Sequence, residues 1–242
     1  MNFSLEITLK TDLSILPKVK DVYITMLPGN DFKEVARKAK ELVQHGFNPV
    51  PHFPARSIKS SSDLKDYVTM CKDFGVKQVL VIGGSAQPIG DYHCSLQILE
   101  SGLFDGLKIG IAGHPDGSPD ISDSELEKAM RDKLPFADYI VTQWLLDTKS
   151  IAKFISKQTL PVHVGITGPL KISSLMKFAS IVGAKNSLNF IKSNATKAID
   201  LLTPKDPNDL IENLKSSTQN FHIYTFGGLK ETNKWLEKNN YA

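Results

Sequence analysis

A chain of 242 residues, 41% hydrophobic and 23% charged, can bury a large core without disulfides or metals, and its composition excludes disordered and fibrous classes. Its 29 basic and 26 acidic residues leave a net charge of +3 dispersed along the chain, so no basic face argues for nucleic acid. No uninterrupted run of about 18 apolar residues suggests a membrane span, MNFSLEITLKTDLS lacks the regions of a signal peptide, and the expected location is the cytoplasm.

In chain order, FSLEITL (3–9) reads as a strand with one carboxylate, Glu6, among apolar neighbours. DVYITML (21–27) is the second strand. In the helix DFKEVARKAKELVQHG (31–46), Phe32, Val35, Ala36, Ala39, Leu42 and Val43 share one face, and Asp31 and Glu34 have capping-box spacing. NPVPHF (48–53) is the third strand. SDLKDYVTMCKDFG (62–75) repeats the helical plan, followed by strands KQVLVIG (77–83) and LKIGIAG (107–113). SDSELEKAMRDKL (122–134) is a helix opened by Ser122 and Glu125 in capping-box spacing. DYIVTQW (138–144), the helix TKSIAKFISK (148–157) and the strand LPVHVGI (160–166) follow. Helical segments KISSLMKFASIVG (171–183), NSLNFIKSNATKAIDLL (186–202) and PNDLIENLKSS (207–217) precede the last strand, FHIYTF (221–226).

Strands three to six begin near 48, 77, 107 and 138, one β-α unit per step. Eight near-continuously apolar strands alternating with helices predict an α/β fold, a (β/α)8 TIM barrel with an extra helical segment before its last strand. It is read as one domain over 1–242, with an open α/β sheet as the alternative. Cys71 and Cys94 stand in no CxxC or ligand spacing. Cys71 reads as a buried reduced thiol, although two cysteines leave a disulfide open on parity.

A barrel carries its chemistry on the loops after its strands. Those ends offer Glu6, Thr25, His52 with Arg56, Gly84 with Ser85 and Gln87, His114 with Ser118, and Gln143. Glu6 is the sharpest candidate. A carboxylate between Leu5 and Ile7 is costly to bury unless protonated, paired or hydrogen-bonded, and a raised pKa would suit general-acid work. The Gln143 amide suits a heterocycle edge or, equally, a surface cap. His163, inside strand seven, reads as structural. No HxH or HExxH spacing joins the histidines, so no metal site is expected, and IGGSAQ is not GxGxxG. GPLK and FGGLK stand where barrels bind phosphate, and where glycine serves turns alone.

The series FSLEIT, PHFPAR, VLVIGG, IGIAGHPDGSP, ADYIVTQW and FHIYTF resembles the methylenetetrahydrofolate reductase family over most of the chain, with AGHPDGSP and ADYIVTQ the most specific segments. The resemblance implies an oxidoreductase of one-carbon metabolism that interconverts methylene- and methyltetrahydrofolate, with electrons from NAD(P)H and, in most members, bound FAD. It implies Glu6 as general acid at the pterin and Gln143 as the pterin's hydrogen-bonding partner, with Ser85 and Gln87 on the same substrate side. Thr25 and His52 match residues near the flavin, and Arg56, Gly84, His114 and Ser118 fall on that cofactor surface. Gly83, Gly84 and Ser85 replace the family's Arg-Gly-Asp, His114 and Ser118 stand where Tyr and His are usual, and Asp132 aligns with a basic position. The flavin half of the site is therefore expected to differ, either in how FAD binds or by direct reaction of nicotinamide with folate. A folate-dependent methyltransferase and a non-catalytic folate-binding barrel are the alternatives. Expected partners are the folate substrate and a second copy of the chain, with neither nucleic acid nor membrane.

Overall fold

The computed structural model describes residues 1–118, 121–171 and 204–241. The apolar runs become strands because both faces find cover. The strands are β1 (Asn2–Ile7), β2 (Asp21–Ile24), β3 (Asn48–Pro54), β4 (Gln78–Ile82), β5 (Lys108–Gly113), β6 (Tyr139–Trp144), β7 (Val162–Thr167), β8 (Leu170–Lys171), β9 (Pro204–Lys205) and β10 (Asn220–Tyr224). The helices are α1 (Phe32–Gln44), α2 (Ser61–Asp73), α3 (Ser95–Leu99), α4 (Asp123–Lys133), α5 (Thr148–Ile155), α6 (Asn208–Leu214) and α7 (Leu229–Lys238). Eight parallel strands close in the order β1-β10-β7-β6-β5-β4-β3-β2, which is a (β/α)8 barrel and overturns the open-sheet alternative. β8 and β9 form a separate antiparallel pair. The expected helices at 171–183 and 186–202 lie outside the described residues; the third added segment contains α6. Among the described residues, no helix is long and apolar enough to cross a membrane.

Local signals set the helix starts. Ser122 and Glu125 close the expected capping box on α4. On α1, Asp31 instead accepts from the Lys33 amide at 2.9 Å, and Glu34 is left as a first-turn acid facing the helix dipole. Val35, Ala36, Ala39 and Leu42 bury the α1 face against the barrel, and Leu64, Tyr67, Val68 and Cys71 bury that of α2. Cys71 and Cys94 are free thiols, so the parity argument for a disulfide fails, and burial pushes the Cys71 thiol up.

Strand alternation divides the core in two. Outward residues such as Leu5, Val22, Phe53, Val81, Ile111 and Ile223 join the helices in one cluster. Tyr23, Val50, Leu80, Tyr139 and Val141 form another inside the barrel. The Tyr23 and Tyr139 hydroxyls meet at 3.3 Å, and burial raises both phenols so that they stay neutral donors. Tyr139 fits because β5 supplies Gly110 beside it: a Cβ there would lie 2.5 Å from the Tyr139 ring carbon Cζ. Gly110→Ala therefore displaces a hydrogen-bonded ring with nowhere to go. It is expected to destabilise the fold by about 1–3 kcal/mol, read as a lower urea midpoint at unchanged m-value; an unaltered midpoint would show that this packing is not tight.

Candidate functional site at the barrel mouth

The site grows out of one alternation. On β1, Leu5 and Ile7 turn outward to the helices, which sends Ser4 and Glu6 into the barrel. Closure places β10 against β1 and pairs Ser4 with His222. β3, two strands away on the other side, contributes His52. Both imidazoles converge on one atom: Glu6 Oε2 lies 3.5 Å from His52 Nε2 and 3.7 Å from His222 Nε2. Tyr23 of β2 fills the space beside them, its ring centroid 4.3 Å from that of His222 and 6.1 Å from that of His52. Ser4 Oγ is 3.0 Å from His222 Nδ1, and the Tyr224 ring stands edge-on to His222 at 4.8 Å.

Hydroxyl groups fix the end of β1. Thr25 Oγ1 donates to the Ile7 carbonyl at 2.6 Å, and Thr225 Oγ1 donates to the Glu6 carbonyl at 3.1 Å. Tyr224 donates to the Thr142 carbonyl at 3.0 Å. The Glu6 side chain is 17% exposed, while His52 and His222 are buried. Glu6 is thus the member of the cluster that solvent or a ligand can reach.

The electrostatics reverse the sign expected for Glu6. Burial pushes its carboxyl up, but the approach of His222 and the attraction to His52 and His222 in their protonated forms pull it further down, so the net shift is downward. At neutral pH Glu6 is a carboxylate, suited to accept a proton rather than to give one. Burial takes His52 down to about 4, against the attraction of Glu6, so at neutral pH it is a neutral imidazole. His163 also falls to about 4 through burial; it stacks on Tyr139 at 4.7 Å, inside the barrel.

The other expected residues ring the mouth. Arg56, half-buried after β3, donates from Nε to the His93 carbonyl at 2.9 Å and from Nη1 to the Gly84 carbonyl at 3.3 Å. Among the described residues no carboxylate pairs with it. Gly84 takes φ +88, which a side chain would resist, while Ser85 and Gln87 are exposed on the same loop. His114 and Ser118 are half-buried in the turn after β5. Gln143 is half-buried where the β6–β7 register shifts between Val141 and Trp144. Thr25 spends its hydroxyl on β1, as described. Asp132 is paired with Lys128 on α4 at 2.5 Å. In GPLK, a Cβ on Gly168 would meet Thr232 Oγ1 at 2.1 Å, so that glycine serves close packing. Among the described residues no three of His, Cys, Asp and Glu are grouped to hold a metal ion.

Ser4, Tyr23, His222 and Tyr224 escaped the sequence reading. The signal was available: Ser4 is two residues from Glu6, and period two puts His222 and Tyr224 on one face of FHIYTF. A closed barrel must then set that strand beside the first.

No family model matches the chain. Among solved structures the chain is similar to an oxaloacetate acetylhydrolase, with TM-score 0.59 and 10% identity over 100% of this chain and 81% of that one. That activity is also represented by complexes with 3,3-difluorooxalacetate and with oxalate. A 2,3-dimethylmalate lyase of the PEP mutase/isocitrate lyase superfamily is similar at TM-score 0.60 and 8% identity, over 99% of this chain and 82% of that one. A protein assigned as a phosphonomutase from Burkholderia cenocepacia follows at TM-score 0.56 and 8% identity, over 99% and 93%. At these identities the likeness shows the barrel fold.

These neighbours overturn the resemblance to methylenetetrahydrofolate reductases, and with it the folate oxidoreductase, NAD(P)H, FAD and tetrahydrofolate, and the methyltransferase and folate-binding alternatives. The physical reason lies in the segments that carried it. A Gly/Pro turn after a strand and polar side chains at strand tips are what any barrel mouth contains, whatever it binds.

The depressed histidines make stability depend on pH. The unfolded chain binds protons on His52 and His163 near 6.5, whereas the folded chain resists until about 4. Their contribution is complete above pH 6.5 and is lost as pH falls toward 4, on the order of 3 kcal/mol for His52 and less for the partly open His163. Urea midpoints measured between pH 7 and pH 4 are expected to fall, and His52→Gln is expected to flatten that slope. An equal slope in the variant would show that His52 is not held neutral.

Proposed function

We propose that this chain is a cytoplasmic enzyme that cleaves or rearranges a carbon–carbon bond in a small oxo- or hydroxycarboxylate, with Glu6 as its base. The observation that carries the reading is an ionised carboxylate, reachable from the mouth and bracketed by two buried imidazoles. Such a group accepts a proton at neutral pH. The fold neighbours favour the reaction class, since their names are those of a lyase, a mutase and a hydrolase of oxaloacetate.

In the cleavage direction, Glu6 accepts the proton of a substrate hydroxyl. The carbonyl forms as the adjacent carbon–carbon bond breaks, and its electron pair passes to the departing enolate, which is protonated in turn. Arg56 is assigned the substrate carboxylate. Two of its five N–H groups are committed to backbone carbonyls, which aims the fork and leaves three donors. Its place four residues after His52 limits the reach to about 13 Å of chain, which fits a substrate of a few carbons. Gln143 is assigned to orient the substrate through its amide.

The test is a panel of oxo- and hydroxydicarboxylates, oxaloacetate and 2,3-dimethylmalate among them, followed by proton NMR with purified protein. At least one is expected to turn over. Glu6→Gln is expected to lower kcat by about 10²-fold or more while binding persists, and Arg56→Ala to raise KM by about tenfold or more. Absence of turnover across the panel, or turnover indifferent to Glu6→Gln, would overturn the reading.

A further inference from the structure

The two imidazoles on Glu6 are not equivalent. His222 is held at Nδ1 and on its ring faces, while its Nε2, like both nitrogens of His52, has no hydrogen-bond partner among the described residues. Its ring lies against Tyr23 of β2 and Tyr224 of its own strand, its Nδ1 meets Ser4 Oγ, and its Nε2 faces Glu6 Oε2. His163 of β7 also acts on it electrostatically, and His52 lies across the carboxylate. His52 is held only as a ring: among the described residues neither nitrogen has a hydrogen-bond partner, and Nε2 looks at Glu6 from 3.5 Å.

For a neutral His222 ring the Ser4 contact has two possible polarities. If Ser4 accepts, the ring proton sits on Nδ1, and the Nε2 lone pair faces a buried carboxylate oxygen with no donor between them. If Ser4 donates, the ring proton sits on Nε2 and points toward that oxygen. The first arrangement sets lone pair against negative charge in a largely enclosed site; the second sets a donor against it. Ser4 is itself buried, and its hydroxyl meets His222 Nδ1. The second arrangement therefore prevails.

We propose that Ser4 locks His222 in its Nε2–H tautomer, making Ser4 and His222 a positioning pair that keeps Glu6 ionised, while His52 remains the imidazole free to change its proton. This inference rests on the reading of Glu6 as the base of the site. It adds a division of labour: one histidine is a fixed donor, and the other is the partner with which Glu6 exchanges a proton. Metal-binding histidines are oriented by the same device, a second contact on the far ring nitrogen that sets the tautomer of the near one.

The experiment needs no substrate. Nitrogen-15 NMR of the full chain labelled at histidine reports which ring nitrogen carries the proton. The neutral form of His222 is expected to show protonated Nε2 and bare Nδ1. In Ser4→Ala, His222 is expected to populate both tautomers. Carbon-13 titration of the Glu6 carboxyl in that variant is expected to move its midpoint up by about one pH unit, a tenfold change in proton affinity. Ser4→Thr, which keeps the hydroxyl, is expected to restore both signals. A wild-type His222 protonated on Nδ1, or a Ser4→Ala variant with unchanged tautomer and midpoint, would overturn the proposal. Because the wild-type measurement stands without any variant, poor folding of Ser4→Ala does not shelter it. Failure of the substrate panel with the expected tautomer present would count against the reaction and not against the lock.

Discussion

An ionised carboxylate inside a β-barrel has to be compensated where it stands, and the arrangement around Glu6 follows from that requirement. Desolvation alone would protonate it. The compensation comes from two strands far away in the chain, since Ser4 and His222 are 218 positions apart and meet only because the barrel closes. Closure thus does two jobs at once. It removes the sheet edges, and it brings to Glu6 the two imidazoles that lower its proton affinity. An open sheet with the same strands would separate β1 from β10 and leave the carboxylate without His222.

The surroundings make the cluster rigid rather than merely present. Tyr23 and Tyr139 join across the barrel interior, and Gly110 makes room for the second ring. Thr25 and Thr225 tie down the backbone of Ile7 and Glu6 from neighbouring strands. A base held this way needs little reorganisation when a substrate arrives, which is the electrostatic advantage of a preformed site. The two depressed histidines are the counterpart of that rigidity: the fold tolerates buried imidazoles only while they are neutral.

Periodicity made the barrel legible. Val/Ile-rich runs spaced about 30 residues apart, with amphipathic helices between, leave little choice of architecture, and the strand ends differ by at most about three residues. The second strand ends at Ile24 rather than 27, because Thr25 turns its hydroxyl to β1 and Pro28-Gly29 begins a turn. Glu6 was legible because it interrupts an apolar run. Ser4 and His222 were legible only by combining period-two alternation with closure of the barrel, since nothing local marks a serine or histidine in a strand as the partner of a residue at the other end of the chain. The sign of the Glu6 shift was illegible for the same reason: burial can be read from neighbours in sequence, compensation only from neighbours in space.

The misleading resemblance has a related cause. Mouth segments are chosen by geometry before they are chosen by ligand, so glycine, proline and polar tips recur where strands end. What separates one chemistry from another is the placement of charge. Here a negative base lies deep, reachable from the mouth, and a guanidinium without an acidic partner among the described residues stands at the rim. Under the proposed function, that polarity would suit a short molecule with a carboxylate at one end for the rim cation and a removable proton at the other for the base. On that reading Glu6 must stay ionised before substrate arrives. A protonated Glu6 would offer a donor where the substrate presents one, and the bound pair would have no proton acceptor at the reacting end.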